Sequence, residues 1–135
     1  MDQNRREADR WLIQDERDFV EGRNSASAGS YEWACFQAQQ CSEKALKAIL
    51  IAQGRRRVLI HSIYELVLEA GNYAPSLLEA RKGTKKLDGA YFAPRYPESI
   101  AGELTPGEYY EEEDAEECLK IAESILVRTK AAIRG

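Results

Sequence analysis

The chain contains one histidine, His61, and three consecutive arginines, Arg55, Arg56 and Arg57, stand shortly before it in the sequence. Arg56 precedes His61 with four residues between them, and Arg55 precedes it with five. Arginine can hold a phosphate group and histidine can move a proton, which is the minimum for cleaving RNA without a metal ion. The alternative is that the arginines lie in a solvated loop before a helix cap. With a single histidine, a Ser-His-Asp triad or a His-rich metal site is poorly supported.

The segment LDGAYFAPRYPE carries a second group of candidate residues, Asp88, Tyr91, Arg95 and Tyr96. Arg95 has a tyrosine on either side in the segment, and two prolines restrict the backbone around it. Such an arrangement is typical of a site that binds an anion or stacks on a base. Asp88 and Tyr91 are neighbours on a helix, where Asp88 can orient Arg95. The structural alternative is that Arg95 pairs with Asp88 or Glu98 and that the tyrosines pack.

A polar helix face carries the third group, which comprises Gln39, Gln40, Glu43 and Lys44. Lys44 is placed to point into a groove shared with Arg95, which would add a second cation to an anion site. The alternatives for this face are a dimer contact or exposure to solvent.

These groups depend on a long central helix, predicted over Tyr31–Gln53 with Ser30 as its cap and Gly54 at its end. One face of this helix holds six small residues at alternating steps of three and four, which keeps them on one side. Small residues allow other helices to approach closely. They are Ala34, Ala38, Cys41, Ala45, Ala48 and Ala52.

Four further helices follow from apolar residues at helical spacing between glycines and prolines. A capping box, Ser62 with Glu65, starts the short third helix. Asp15 falls within the apolar stripe of the first helix, where a carboxylate must lie at the core edge or find a donor. We predict one all-α domain over residues 1–135, an up-and-down bundle of four long helices and one short one. The further helices run over about 5–23, 63–70, 75–95 and 110–133.

The charge is unevenly distributed along a chain whose net charge is −4. Residues 54–97 carry eight positive and four negative side chains, whereas residues 98–135 carry four and ten. The net charge of −4 does not favour a general nucleic-acid binder. The uneven distribution suits a local anion site, self-complementary association or simply solvated helix faces.

The three cysteines, Cys35, Cys41 and Cys118, lack paired short spacings. This pattern argues against a disulfide framework and against a zinc site, and we predict neither a metal ion nor a cofactor. Cys41 and Cys118 fall on apolar stripes and are expected in the core. No apolar run is long enough to cross a membrane and the N-terminus lacks the apolar region of a signal peptide, so we expect a reduced, cytoplasmic protein without membrane association.

Several short motifs occur in the order found in a known family. QQCSEKALKA and YFAPRYP are the most specific, and His61-Ser62-Ile63 and Leu87-Asp88 stand between them. Together they resemble the HEPN domain, named for nucleotide binding in higher eukaryotes and prokaryotes. The resemblance covers about residues 5–133.

The resemblance implies an up-and-down helical bundle that commonly forms homodimers. It also implies a small nucleotidyltransferase as the partner in a two-gene, toxin–antitoxin-like system. Some members are toxins or RNases that bring together an arginine and a histidine across a dimer, on a long C-terminal part of the bundle. Here His61 instead precedes the short third helix.

The first hypothesis is therefore a nucleotide-binding HEPN module, a cytoplasmic homodimer that acts with a nucleotidyltransferase and contacts a nucleotide or RNA. The alternative is a metal-independent RNase toxin that uses Arg55 or Arg56 with His61, and the third possibility is a purely structural dimerising subunit. The predicted nucleotide contacts are Gln40, Lys44, Asp88, Tyr91, Arg95 and Tyr96.

Overall fold

The computed structural model describes residues 2–135, which form helices joined by loops. No β-strand occurs in residues 2–135, and the predicted all-α bundle is confirmed. None of the helices in this range is long and apolar enough to cross a lipid bilayer. The α-helices are α1 (Gln3–Ser27), α2 (Tyr31–Ala52), α3 (Ile63–Ala70), α4 (Thr84–Gly89), α5 (Pro106–Tyr109) and α6 (Glu112–Arg134), with 3₁₀ turns at Pro75–Ala80 and Pro97–Ser99.

The centre of the bundle is α2, as predicted, and it contacts each of the other five α-helices. Of the six small residues on its inner face, only the terminal Ala52 is partly exposed. Because small side chains let helix backbones approach one another, α1 and α6 pack directly against this face. Fully buried leucines, among them Leu12, Leu46 and Leu50, fill the space beside it.

The first helix is longer than predicted at both ends. The carboxylate of Asp2 accepts a hydrogen bond from the backbone N–H of Arg5 at 2.8 Å, which caps the start of α1. At the other end the helix continues through Ser27, and the chain turns only at Gly29, whose φ of 83° lies in the left-handed region. The small residues that suggested a loop are therefore the last turn of α1.

Asp15 of α1 is fully buried instead of lying at the edge of the core. Among residues 2–135, no N–H or O–H donor reaches its carboxylate oxygens. The carboxylate interacts with the thiol of Cys41 and with the charges of Asp18 and Lys44, which form an ion pair. Burial raises the pKa of Asp15 from an ordinary value of 3.8 to about 8, because a charge is unfavourable in this apolar environment.

The predicted fourth long helix is interrupted. Pro75–Ala80 forms a 3₁₀ helix, and α4 starts only at Thr84. Gly83, between them, has a φ of 85°, a conformation that glycine adopts without strain and that ends a helical path. Leu77 and Leu87 are nevertheless buried, so the apolar spacing is correct while the backbone turns between them.

One predicted cap makes no capping hydrogen bond, and one helix starts later than predicted. Ser62 caps α3 as expected, since its hydroxyl accepts a hydrogen bond from the backbone N–H of Glu65 at 3.2 Å. The side chain of Ser30, in contrast, makes no capping hydrogen bond at the start of α2. The last helix starts after Glu111, whose N–H donates to the carboxylate of Asp114 at 2.9 Å.

Candidate functional site

The site is organised by Asp88, which lies in α4 and reaches the first turn of α3. Its Oδ1 accepts a hydrogen bond from the backbone N–H of Ile63 at 2.5 Å, and its Oδ2 accepts one from the hydroxyl of Ser62 at 3.0 Å. A carboxylate suits this position because the N-terminal N–H groups of a helix lack intrahelical partners. Asp88 thus fixes the segment that carries the only histidine.

His61 lies between an acidic and an aromatic side chain. Its Nδ1–H donates to Oε2 of Glu43 at 3.2 Å, and its ring stacks on that of Tyr91 with 5.0 Å between centroids and 18° between planes. The side chain of His61 is 55% exposed. With Nδ1 held by the carboxylate, the other ring nitrogen, Nε2, can accept or donate a proton at the surface.

A buried polar network supports Glu43. The Nζ of Lys47 lies 2.9 Å from Oε2 of Glu43, and both side chains are about nine-tenths buried. The amide group of Gln39 donates to Oε1 of Glu43 at 3.1 Å and to the carbonyl oxygen of His61 at 3.4 Å. Gln40 donates to Oε1 of Gln39 at 2.8 Å. A buried carboxylate needs such partners, because leaving it unpaired costs several kcal/mol.

Arg95 lies next to this network, surrounded by aromatic rings. Its Cζ is 4.5 Å from the ring centroid of Phe36, 5.0 Å from that of Tyr91, 5.5 Å from that of Phe92 and 5.3 Å from that of Tyr96. Cations are attracted to aromatic faces at such distances. We call these five residues the aromatic–arginine cluster.

The guanidinium group of Arg95 is anchored to the backbone and not to a carboxylate. Its Nε and Nη2 donate to the carbonyl oxygen of Tyr91 at 2.9 and 2.6 Å. The expected orientation of Arg95 by Asp88 is therefore wrong, because both oxygens of Asp88 face the start of α3. Phe92 and Tyr96 are 57% and 43% exposed, so the cluster presents aromatic surface to solvent around a cation.

Lys44 is not part of this arrangement. Its Nζ lies 2.6 Å from Oδ2 of Asp18 on α1, and it lines a cavity whose other walls come from α1. The expectation that Lys44 and Arg95 share a groove is therefore incorrect. The physical reason is that Lys44 lies on the side of α2 facing α1, where the carboxylate of Asp18 is the nearest countercharge.

Arg55 and Arg56, the two arginines considered as partners of His61, are also separate from it. Nη1 of Arg55 lies 2.7 Å from Oε2 of Glu69 in α3, and Arg56 is exposed in the loop. Within one chain, the partners of His61 are Glu43 and Tyr91. The short spacing along the sequence therefore does not place an arginine against the histidine in the described chain.

The sequence pattern did not indicate Phe36 and Phe92 as members of the cluster, or Lys47 and Gln39 as support for His61. Phe92 stands between the candidate tyrosines, so its proximity was visible in the segment itself. Phe36 was not recognisable, because its contact with Arg95 depends on how the loop after α4 folds back onto α2. In residues 2–135, no three His, Cys, Asp or Glu side chains are grouped so as to hold a metal ion.

The sequence of this chain matches the family model of the HEPN domain over residues 8–131. The chain belongs to the HEPN domain family. The matched range of this HEPN domain includes α2, α3, α4 and all residues of the aromatic–arginine cluster, and it confirms the family suggested by the short motifs.

One named protein and two solved structures are also similar to this chain. The HEPN chain is 42% identical over 104 residues to the Methanocaldococcus jannaschii protein named "Putative toxin MJ1304", in an alignment that covers 71% of this chain and 68% of that protein. The crystal structure of TT1696 from Thermus thermophilus is 31% identical with a TM-score of 0.85. The structure of ST0689, described as an archaeal HEPN homologue, is 39% identical with a TM-score of 0.74. Each structural match covers 93% of this chain and 97% of the other.

Proposed function

We propose that this HEPN chain is the nucleotide-binding, toxin-like component of a two-protein system whose other member is a small nucleotidyltransferase. Two observations support the proposal. One is the relative that carries a toxin name, and the other is the aromatic–arginine cluster beside His61. The proposed protein is a single cytoplasmic domain over residues 1–135 that works as a homodimer.

The observation that carries the nucleotide-binding proposal is the environment of Arg95. The carbonyl oxygen of Tyr91 takes hydrogen bonds from two of its nitrogens, Nε and Nη2. A guanidinium group has five N–H donors, so three remain for the oxygens of a phosphate. The exposed rings of Phe92 and Tyr96 supply stacking surfaces for a base, and their centroids lie 5.5 and 5.3 Å from Cζ of Arg95. Cation and aromatic rings together recognise a nucleotide better than either does alone.

A second candidate, metal-independent cleavage of RNA, is favoured by the contact between Glu43 and His61. The carboxylate holds Nδ1 of an imidazole whose side chain is half exposed, and this leaves Nε2 to act as a general acid or base. In this candidate the cation that holds the phosphate is Arg95, on the same Tyr91 ring, and not Arg55 or Arg56. Cleavage of a labelled RNA oligonucleotide in EDTA, lost in His61→Ala, would distinguish an enzyme from a binding module.

The experiment that tests nucleotide binding is a calorimetric titration of the purified chain with a panel of ribonucleotides. Loss of a charge-assisted contact to phosphate in Arg95→Ala should weaken binding by about 10- to 100-fold. The matched control is Lys44→Ala, which removes a lysine held by Asp18 and should leave the affinity unchanged. Equal affinity of Arg95→Ala and the unaltered chain, or greater loss in Lys44→Ala, would reject the proposed site.

A further inference from the structure

An exposed tryptophan extends the ring surface of the aromatic–arginine cluster. Trp33 lies in the first turn of α2 and is 46% exposed, although an indole ring is among the largest apolar groups that a chain can bury. Its ring meets that of Phe36 edge to face, with 6.1 Å between centroids and 78° between planes. The other neighbour of the Phe36 ring is Cζ of Arg95, at 4.5 Å. Trp33 is therefore one ring removed from the guanidinium group.

Trp33 stands at one end of the candidate site, and His61 stands at the other. Phe36 and Glu43 follow Trp33 along α2 by three and ten positions, which keeps the three side chains on one side of the helix. Phe36 contacts Arg95, whereas Glu43 contacts His61. At about 1.5 Å per residue, the distance along the axis from Trp33 to Glu43 is about 15 Å. The site is therefore an elongated surface with the cation of Arg95 between its ends.

A single nucleotide on the cluster would leave Trp33 unused. In the proposed function the phosphate takes the free N–H donors of Arg95, and the base stacks on Phe92 or Tyr96, whose rings belong to the segment after α4. Trp33 approaches the same guanidinium group through Phe36, from the side of α2. A base on Trp33 would therefore belong to the next nucleotide of the same strand. Successive bases on successive aromatic side chains are a usual way for proteins to hold a single strand.

We propose that Trp33 is a second base-stacking residue, so that the site takes two successive nucleotides with the phosphodiester between them on Arg95. The inference rests on the proposed nucleotide binding and adds to it a further contact residue and a minimum length of ligand. The charges match, because a phosphodiester carries one negative charge and Arg95 supplies one positive charge. Arg95 keeps that charge available, since its hydrogen bonds go to the carbonyl oxygen of Tyr91 and not to a carboxylate.

The test compares two ligands that carry the same single phosphodiester charge. One is the 2′-O-methylated dinucleotide UpU, and the other is its truncated form, in which a methyl group replaces the second nucleoside. Neither has the free 2′-hydroxyl that metal-free cleavage requires, so both stay intact during a calorimetric titration. The unaltered chain should bind the dinucleotide about 5- to 150-fold more tightly than the truncated ligand, which is the contribution of one further stacked base.

Fluorescence reports directly on the stacking, because the chain has two tryptophans, Trp11 and Trp33. Trp11 lies on α1, where its Nε1–H donates to Oε1 of Glu7 at 3.3 Å. Trp11→Phe leaves Trp33 as the sole reporter. Saturation of this variant with the dinucleotide should quench the fluorescence of Trp33, because a base stacks on the indole.

Trp33→Ala should abolish the advantage of the dinucleotide and leave the affinity for the truncated ligand unchanged. Trp33→Tyr keeps a ring and should retain most of the advantage, which separates stacking from a defect in folding. The matched control is Tyr73→Ala, because Tyr73 is also 46% exposed and lies outside the aromatic–arginine cluster. This control should bind both ligands as the unaltered chain does.

The outcomes distinguish this inference from the proposed function. Equal affinity of the unaltered chain for the two ligands, an advantage that persists in Trp33→Ala, or unquenched Trp33 fluorescence would overturn the second stacking residue. In each of these cases binding of the truncated ligand, weakened in Arg95→Ala, would still support the proposed function. If neither ligand binds, both the proposed function and the second stacking residue are rejected.

Discussion

The carboxylate of Asp88 receives the backbone N–H of Ile63 at 2.5 Å, so a residue of α4 caps a helix that starts 25 positions earlier in the sequence. The same carboxylate receives the hydroxyl of Ser62, which itself caps α3 through Glu65. His61 comes immediately before this doubly capped start. The position of the imidazole therefore depends on the packing of α4 against α3.

Replacing Asp88 by alanine should lower the free energy of unfolding by about 2 kcal/mol, because Ile63 loses its hydrogen-bond acceptor in a partly buried position. Urea unfolding followed by circular dichroism measures the change. Asp88→Asn keeps one oxygen for the N–H and should cost less than half as much. A loss of under about 0.5 kcal/mol in Asp88→Ala would contradict the capping role.

Helical spacing was sufficient to predict the all-α bundle, its central helix and most of the core. It failed where a single backbone torsion decides the outcome, as at Gly83, whose left-handed conformation divides the fourth helix. The apolar positions on both sides of Gly83 keep the same spacing, so periodicity contains no sign of the break. Asp15 shows a second kind of failure. The apolar spacing placed it on the buried stripe, but the cost of burying a carboxylate led us to expect it at the edge of the core or beside a donor.

The candidate site was predictable only where its residues are close in sequence. Tyr91, Arg95 and Tyr96 lie on one short segment and do come together. Lys44 was misassigned because helical geometry gives the side of α2 on which it lies but not which helix packs there. Whether the cluster binds a nucleotide stays a prediction.

The contribution of Asp15 to the stability of the chain should fall as the pH rises, because this buried carboxyl group has a pKa of about 8. Between its ordinary value of 3.8 and about 8, the folded chain keeps a proton that the unfolded chain has released. The stabilisation is complete below the lower value and is lost through this range, with a slope of about 1.4 kcal/mol per pH unit. Above a pH of about 8 the slope of this contribution vanishes.

Asp15→Asn should remove this dependence, since the amide does not titrate. From pH 6 to pH 9 the free energy of unfolding of the variant should rise relative to that of the unaltered chain by about 2.7 kcal/mol, which is the slope acting over the two pH units below a pKa of about 8. Urea titrations at several pH values measure the difference. Other charges near Asp15, on Glu16, Asp18 and Lys44, are present in both chains and cancel in the comparison. Parallel pH profiles would contradict a buried, protonated Asp15.

Gly71 and Gly89 should respond oppositely to alanine. A Cβ at Gly71 would lie 2.6 Å from Cδ2 of Leu78 and 2.9 Å from the carbonyl oxygen of Val67, so Gly71→Ala should cost about 1–3 kcal/mol. A Cβ at Gly89, the last residue of α4, meets no described atom within 4 Å apart from the adjoining residues and the backbone of its own helix. Gly89→Ala should be neutral or slightly stabilising, because alanine favours the helix. Thermal unfolding of both variants measures the contrast, and equal shifts would contradict it.

If the aromatic–arginine cluster binds nucleotides, Phe92 should contribute through the base and Arg95 through the phosphate. Loss of one stacking ring is worth about 1–3 kcal/mol, so Phe92→Ala should weaken binding of a nucleoside monophosphate by roughly 5- to 150-fold. Ribose 5-phosphate has no base, and its affinity should be unchanged in Phe92→Ala but reduced in Arg95→Ala. Tyr73→Ala removes an exposed ring that is not part of the aromatic–arginine cluster; it is the control and should bind both ligands normally. An equal loss for both ligands in Phe92→Ala would mean that the ring only positions Arg95, and no loss for either would remove stacking from the mechanism.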